Sequence, residues 1–271
     1  MAPVASAITR VLITGFGPFQ GVPNNPSFGI VSRLPTSLPN NIELVVHPSA
    51  VPVAYHPVID LLPGLYNSTQ PDLSLHIGVA EGRTYFAVEQ TSQRNVYSWS
   101  TDVNGQRFED SEGEKIWADQ AVKLSTDLDL VAVVDDWQNR TEGIVWPPAS
   151  SVGSSLQFNR RDAVPVDVVL KESVLESVPL TRPTETELTD DPVRWSDAVG
   201  TYLCGFIFYA GMVQKTRTGM GADGVAKKRD VAFMHVPMLK TEEELNFGRD
   251  VTVELVQSLV GSWRAQRKTG L

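Results

Sequence analysis

The chain has 271 residues, 42% of them hydrophobic, which suffices for a sizeable core in one large domain or two small ones. Its formal net charge of -9 excludes the basic face of a nucleic-acid binder and the polybasic surface that anionic lipid would hold. No stretch approaches the ~18 consecutive apolar residues of a membrane helix. The single cysteine, together with an N-terminus that lacks a basic start, predicts a reducing, cytoplasmic setting.

In chain order, the first predicted strand covers residues 8–14 and breaks at Gly15. A short helix is expected over 26–34, with Asn25 as its cap and Pro26 in the first turn. A second strand is expected over 42–51 and a helix over 53–62 despite Pro57; a third strand spans 73–79, where Gly78 and Gly82 loosen the backbone. The run Tyr85-Phe-Ala-Val-Glu-Gln90 is β-like, and the apolar runs 128–134 and 164–170 each suit a further strand. Val231 to Leu239 is a strand pattern beside the stop at Pro237. Thr241-Glu-Glu-Glu244 has the spacing of a capping box and opens a helix reaching about Gln266. Strands alternating with helices predict a single-domain α/β/α sandwich around a central, largely parallel sheet.

Residues 108–193 break the periodicity. Turn formers and acids cluster at Glu109–Lys115, Asp135–Arg140, Pro147–Ser155 and Thr181–Pro192. They predict an enlarged, loop-rich insert within the one domain, reaching out over its surface.

Two cofactor readings are weak. Gly219-Met-Gly-Ala-Asp-Gly224 fits the dinucleotide fingerprint, and a nicotinamide oxidoreductase would rest on it. That pattern requires a strand before it and an amphipathic helix after it, and neither flank qualifies. His47, His56, His76 and His235 are scattered without metal-ligand spacing, so neither cofactor nor metal is expected.

The lone thiol, Cys204, is either a buried apolar filler or a nucleophile. Two other runs supply what a nucleophile needs: one ends in a carboxylate, Glu89, and the other delivers an imidazole, His235. A thiol, a base and a group that orients the base are the parts of nucleophilic acyl transfer. Singly, Glu89 also reads as an edge-strand charge and His235 as a satisfied core histidine.

Four blocks in order decide between these readings. Val11-Leu-Ile-Thr-Gly-Phe-Gly-Pro-Phe19 with Asn25-Pro-Ser27, then Ile77-Gly-Val-Ala-Glu-Gly-Arg83 with Val88-Glu89, then Gly200-Thr-Tyr-Leu-Cys204, then Phe233-Met-His-Val-Pro237 resemble the pyroglutamyl peptidase I family (pyrrolidone carboxyl peptidases). The resemblance covers roughly the first hundred and last eighty residues. It implies a cysteine exopeptidase that hydrolyses N-terminal 5-oxoproline from peptides, with Glu89, Cys204 and His235 as its triad. It further implies that Phe16 and Phe19 line the lactam pocket and that Asn25 lies near it, although packing and helix capping also account for these three.

The chain departs from the family pattern at several positions. Gln90 stands where arginine usually follows the acid, Asn95 falls one place late, and Val79 and Glu81 stand where Gln and Gly are common. Gly205 replaces a frequent asparagine, and both intervals between triad members are long. These changes keep open a rival: a non-catalytic module of the same fold that binds pyroglutamyl peptides without hydrolysing them. The expected partners are peptides with N-terminal pyroglutamate, not nucleic acid or membrane; the sequence gives no oligomeric state.

Overall fold

The computed structural model describes residues 7–145, 191–218 and 228–269. A seven-stranded sheet runs in the order β2 (Ser37–Leu38), β3 (Ile42–Val46), β1 (Thr9–Gly15), β4 (Leu73–Val79), β9 (Val231–Val236), β5 (Phe86–Glu89), β8 (Val193–Ser196). Four consecutive strands, β3, β1, β4 and β9, are mutually parallel. β2 and β5 run antiparallel to their inner neighbours, and β8 follows β5 in parallel. The expected α/β architecture is therefore present. β6 (Thr91–Gln93) and β7 (Lys123–Ser125) form a separate antiparallel pair.

Interior strands buried on both faces read as unbroken apolar runs, yet their side chains still alternate. Val11 and Ile13, Leu75 and Ile77, Phe86 and Val88, and Ala232, Met234 and Val236 pack into one core. That core is completed by α1 (Pro26–Val31), α4 (Leu130–Thr141) and α6 (Glu242–Thr269), through residues such as Ile30, Trp137 and Leu255. The opposite face carries Leu12, Phe16, Val231 and Phe233 against α2 (Tyr55–Thr69) and α5 (Leu203–Arg217). The same alternation sends Thr14, His76, Gly78, Glu89 and His235 to this second face. These groups thus share the face on which α2 and α5 pack.

Local signals set most elements. Asn25 caps α1, its side chain accepting from Ser27 N at 3.1 Å, with Pro26 opening the helix. Thr241 and Glu244 make the expected capping box: Glu244 N donates to Thr241 Oγ1 at 3.1 Å and Thr241 N to Glu244 Oε2 at 2.9 Å. Pro57 sits in the first turn of α2, where its missing N–H costs nothing, and the helix runs on through Pro63 to Thr69.

One expectation is corrected. Residues 128–134 are not a strand: Asp129 accepts from Ala132 N at 3.2 Å as an N-cap, and α4 follows. Its buried residues Leu130, Val133, Val134, Trp137 and Thr141 recur at helical spacing. The described part of the expected insert, residues 108–145, carries several elements. Glu109 opens α3 (Asp110–Ile116) with a capping box, and Phe108 and Trp117 are buried. Their rings lie 4.7 and 5.6 Å from that of Phe206 on α5. The run 164–170, the segments 147–155 and 181–190, and the glycine fingerprint 219–224 lie outside the described residues.

His76, deep in the second face, is the structural histidine. Its Nδ1 meets Thr14 Oγ1 at 2.7 Å and its Nε2 meets Tyr66 Oη at 3.2 Å. Burial pushes its pKa down to about 3 from 6.5. Because the folded value lies below the unfolded one, its stabilising contribution is complete above pH 6.5 and is lost as pH falls toward 3. The melting temperature should therefore drop across that window, and His76→Asn should flatten the decline. Parallel curves for the variant and the wild type would contradict this.

Candidate active site

Strand register brings the acid and the base together. On the antiparallel β5–β9 pair, Glu89 stands opposite Phe233 and Ala87 opposite His235. Glu89 and His235 are therefore diagonal neighbours on one face, a separation that long side chains span. His235 Nδ1 and Glu89 Oε1 are 2.8 Å apart. The carboxylate is fully buried and multiply held: Oε1 also accepts from Arg83 Nη1 at 2.6 Å, and Oε2 from Ala198 N at 2.9 Å.

Burial alone would raise the Glu89 pKa. The hydrogen bond from His235, the charge of Arg83 and a bond from Ser196 outweigh it and hold the value well below the ordinary carboxylate range. Glu89 is thus ionised at neutral pH and acts only as an acceptor. Nδ1 of His235 must then carry the proton, which leaves Nε2 as the free base.

The thiol arrives from above. Cys204 is the second residue of α5, after the N-cap Tyr202. Its seat is Gly78, which pairs with His235 across the parallel β4–β9 ladder. A methyl group at position 78 would lie 2.8 Å from Cys204 Sγ, 2.8 Å from Phe233 Cζ and 3.5 Å from Phe16 Cδ2. The absent side chain of Gly78 is the space in which the thiol and two aromatic rings converge beside the imidazole. Gly78→Ala should cost roughly 1–3 kcal/mol of stability by overpacking. It should also lower turnover by about 100-fold by displacing Sγ; wild-type turnover would show that the thiol does not need this seat.

The charge states differ from the simplest thiolate picture. The N-terminus of α5 favours a thiolate. Burial and the nearby Glu89 carboxylate nevertheless push the Cys204 pKa up to about 12, with Arg83 opposing. Burial also lowers the His235 pKa, with Arg83 adding to that shift, despite the pull of Glu89 in the other direction. Both shifts favour a neutral thiol and a neutral imidazole at rest.

Phe16 is buried and reaches the thiol's seat. Phe19 is half-buried in the turn it forms with Val22 and packs on the second core. Asn25 faces its own loop: Nδ2 donates to Gly17 O at 2.8 Å, and Oδ1 accepts from Ser27 N and from Ser27 Oγ at 2.8 Å. It shapes the segment that carries Phe16. Phe16 and Asn25 also line a cavity of about 360 Å3 with Leu239, Lys240 and Leu245, but Cys204 and His235 do not line it.

Both conspicuous departures have structural reasons. The Gln90 amide is occupied away from Glu89: Oε1 accepts from Trp195 Nε1 at 3.1 Å and Nε2 donates to Thr126 O at 3.5 Å. Gly205 lies under the backbone that leads into α5, where a methyl would be 2.5 Å from Gly200 O. Gly200 itself has φ +85°, and Gly205 O accepts from Ser92 Oγ at 2.6 Å. Sequence reasoning did not single out Arg83, Ala198 or Gly78 as site residues. Arg83 carried the only available signal, a cation six positions before the acid in the same block.

The fold and site define an α/β protein whose single thiol caps a sheet-borne histidine–carboxylate pair. A sequence profile described as pyroglutamyl peptidase matches residues 9–144, half of the chain, and the protein belongs to that family. A pyrrolidone-carboxylate peptidase of Thermococcus onnurineus is 40% identical over 101 residues, covering 37% of this chain and 49% of that protein. The chain spans about half the length of such curated relatives in these alignments. The crystal structure of pyroglutamyl peptidase I from Bacillus amyloliquefaciens has a TM-score of 0.62 at 19% identity, covering 93% of this chain and 95% of the other. Pyrrolidone carboxyl peptidase from Thermococcus litoralis gives 0.64 at 16%, covering 96% of both. These two likenesses establish the fold. No helix among the described residues is long and apolar enough to cross a membrane.

Proposed function

We propose that the protein is a cysteine exopeptidase that removes N-terminal pyroglutamate from peptides, acting in the cytoplasm as one domain over 1–271. The observation that carries this reading is the ionised, buried Glu89 bonded to His235 on the sheet face where Gly78 seats Cys204. The neutral His235 Nε2 takes the thiol proton as Sγ bonds to the pyroglutamyl carbonyl carbon. The negative oxygen that forms faces the first-turn N–H groups of α5, which have no intrahelical acceptors.

The imidazolium, stabilised by Glu89, then protonates the departing amine as the C–N bond breaks. Water adds to the resulting thioester, giving its proton to His235. Breakdown releases 5-oxoproline and restores the thiol. Phe16 and Phe233 flank the seat with apolar rings suited to a flat, neutral lactam.

Incubation with pyroglutamyl aminomethylcoumarin tests this: release of the fluorophore supports it. Binding without release would favour the non-catalytic module. With Gln90 and Gly205 accounted for by packing, that module loses its main motive.

A further inference from the structure

Arg83 makes two contacts that no other side chain at the site combines. Nη1 donates to Glu89 Oε1 at 2.6 Å, and Nη2 donates to Ala198 O at 2.8 Å. Ala198 in turn donates its N–H to Glu89 Oε2 at 2.9 Å, which closes a ring through guanidinium, carboxylate and peptide. The residues from 198 lead directly into α5 and Cys204. The guanidinium is mostly buried, its side chain 15% exposed, and lies 5.6 Å from the ring of Tyr85, over which Arg194 also stacks at 4.1 Å.

We propose that Arg83 is a positioning residue of the peptidase reading above, tying the orienting carboxylate to the backbone that delivers the nucleophile and holding both against His235. This rests on that reading for its consequence in turnover but not for its geometry.

Charge balance gives the physical reason. A buried carboxylate needs a compensating cation. Without Arg83, the neighbour left to supply one to Glu89 is His235, and an imidazolium is no base. With Arg83 in place the carboxylate is already paired, so His235 stays neutral and ready to accept the thiol proton. The charged groups acting on His235 are Glu89 on β5 and Arg83 ahead of it; Cys204, seated over Gly78 next to His235 in the β4–β9 register, feels the same two, with Tyr97 and Tyr202 also near it. Of these, Arg83 alone is a fixed cation. Its charge lowers the His235 pKa, in opposition to Glu89.

The test compares wild type, Arg83→Gln and Arg83→Lys in the full chain. The imidazole titration of His235 is followed by NMR, assigned by its loss in His235→Gln, beside kcat and KM for pyroglutamyl aminomethylcoumarin across pH. In R83Q, His235 should protonate at higher pH than in wild type, and the acid limb of the activity profile should move up with it. The value of kcat should fall by up to about 100-fold with KM little changed. R83K should return the titration toward wild type and recover part of kcat.

A His235 titration in folded R83Q that coincides with wild type would overturn the proposal. If R83Q does not fold, R83K decides. A wild-type titration with reduced kcat at unchanged KM supports the proposal, and wild-type kcat with altered KM overturns it. The titration needs no turnover, so an inactive wild type would sink the peptidase reading while leaving the Arg83 test intact.

Discussion

Cys204→Ser is expected to abolish pyroglutamyl hydrolysis while leaving the fold and its melting temperature nearly unchanged. A hydroxyl is a far weaker nucleophile than a thiol, and here neither is ionised at rest. Burial and Glu89 already oppose the Cys204 thiolate, and the less acidic serine would depend still more on His235. Oxygen is also smaller than sulfur and its bond to carbon shorter, so the serine oxygen would sit farther from a carbonyl placed for attack by sulfur. Loss of a nucleophile from a working triad costs on the order of 10⁴–10⁶ in kcat. Activity of the purified variant within a factor of ten of wild type would remove Cys204 from the mechanism.

Ordered blocks in the sequence carried most of this site. Glu89 ends one strand pattern and His235 lies in another before proline, whereas Cys204 stood out only as the lone thiol of its block, and the helix it opens was not foreseen. The interior strands were legible as apolar runs. That they also sort their polar members onto one face follows from period-two alternation, which a run such as Leu73–Val79 hides until its neighbours are known.

Other features were set at long range. The antiparallel placement of β5 between β9 and β8 comes from pairings more than a hundred residues apart, and nothing local encodes them. The run 128–134 misled because six apolar residues out of seven suit a buried strand as well as one face of a helix; the Asp129 cap and the later Trp137 decide it. Arg83 was hidden for a similar reason. An arginine in a Gly-containing loop reads as solvated until the strand that follows turns Glu89 back onto it.

The sharpest test of specificity varies only the first residue of the peptide. A pyroglutamyl peptide should be cleaved, and the same peptide beginning with Gln, Glu or Pro should be nearly inert. Phe16 and Phe233 present apolar rings beside the thiol, and the charged groups near it, Glu89 and Arg83, are already bonded to each other. An incoming ammonium would find no free carboxylate among them and would lose its water. Glutamine has nearly the atoms of pyroglutamate, but its open chain carries that ammonium and lacks the flat ring. Proline keeps the ring, yet it lacks the lactam carbonyl and its nitrogen is charged, so groups that bind a neutral lactam would go unpaired. Sites built around such polar groups discriminate by about 10⁴ or more against analogues that leave them unsatisfied. Phe16→Ala should raise KM for the pyroglutamyl peptide without improving the other three, because it removes a wall and adds no counter-charge. The measurement is kcat/KM for the four peptides with wild type and variant. Comparable values for proline and pyroglutamate would mark a general imino-peptidase and end the assignment of a lactam-specific pocket.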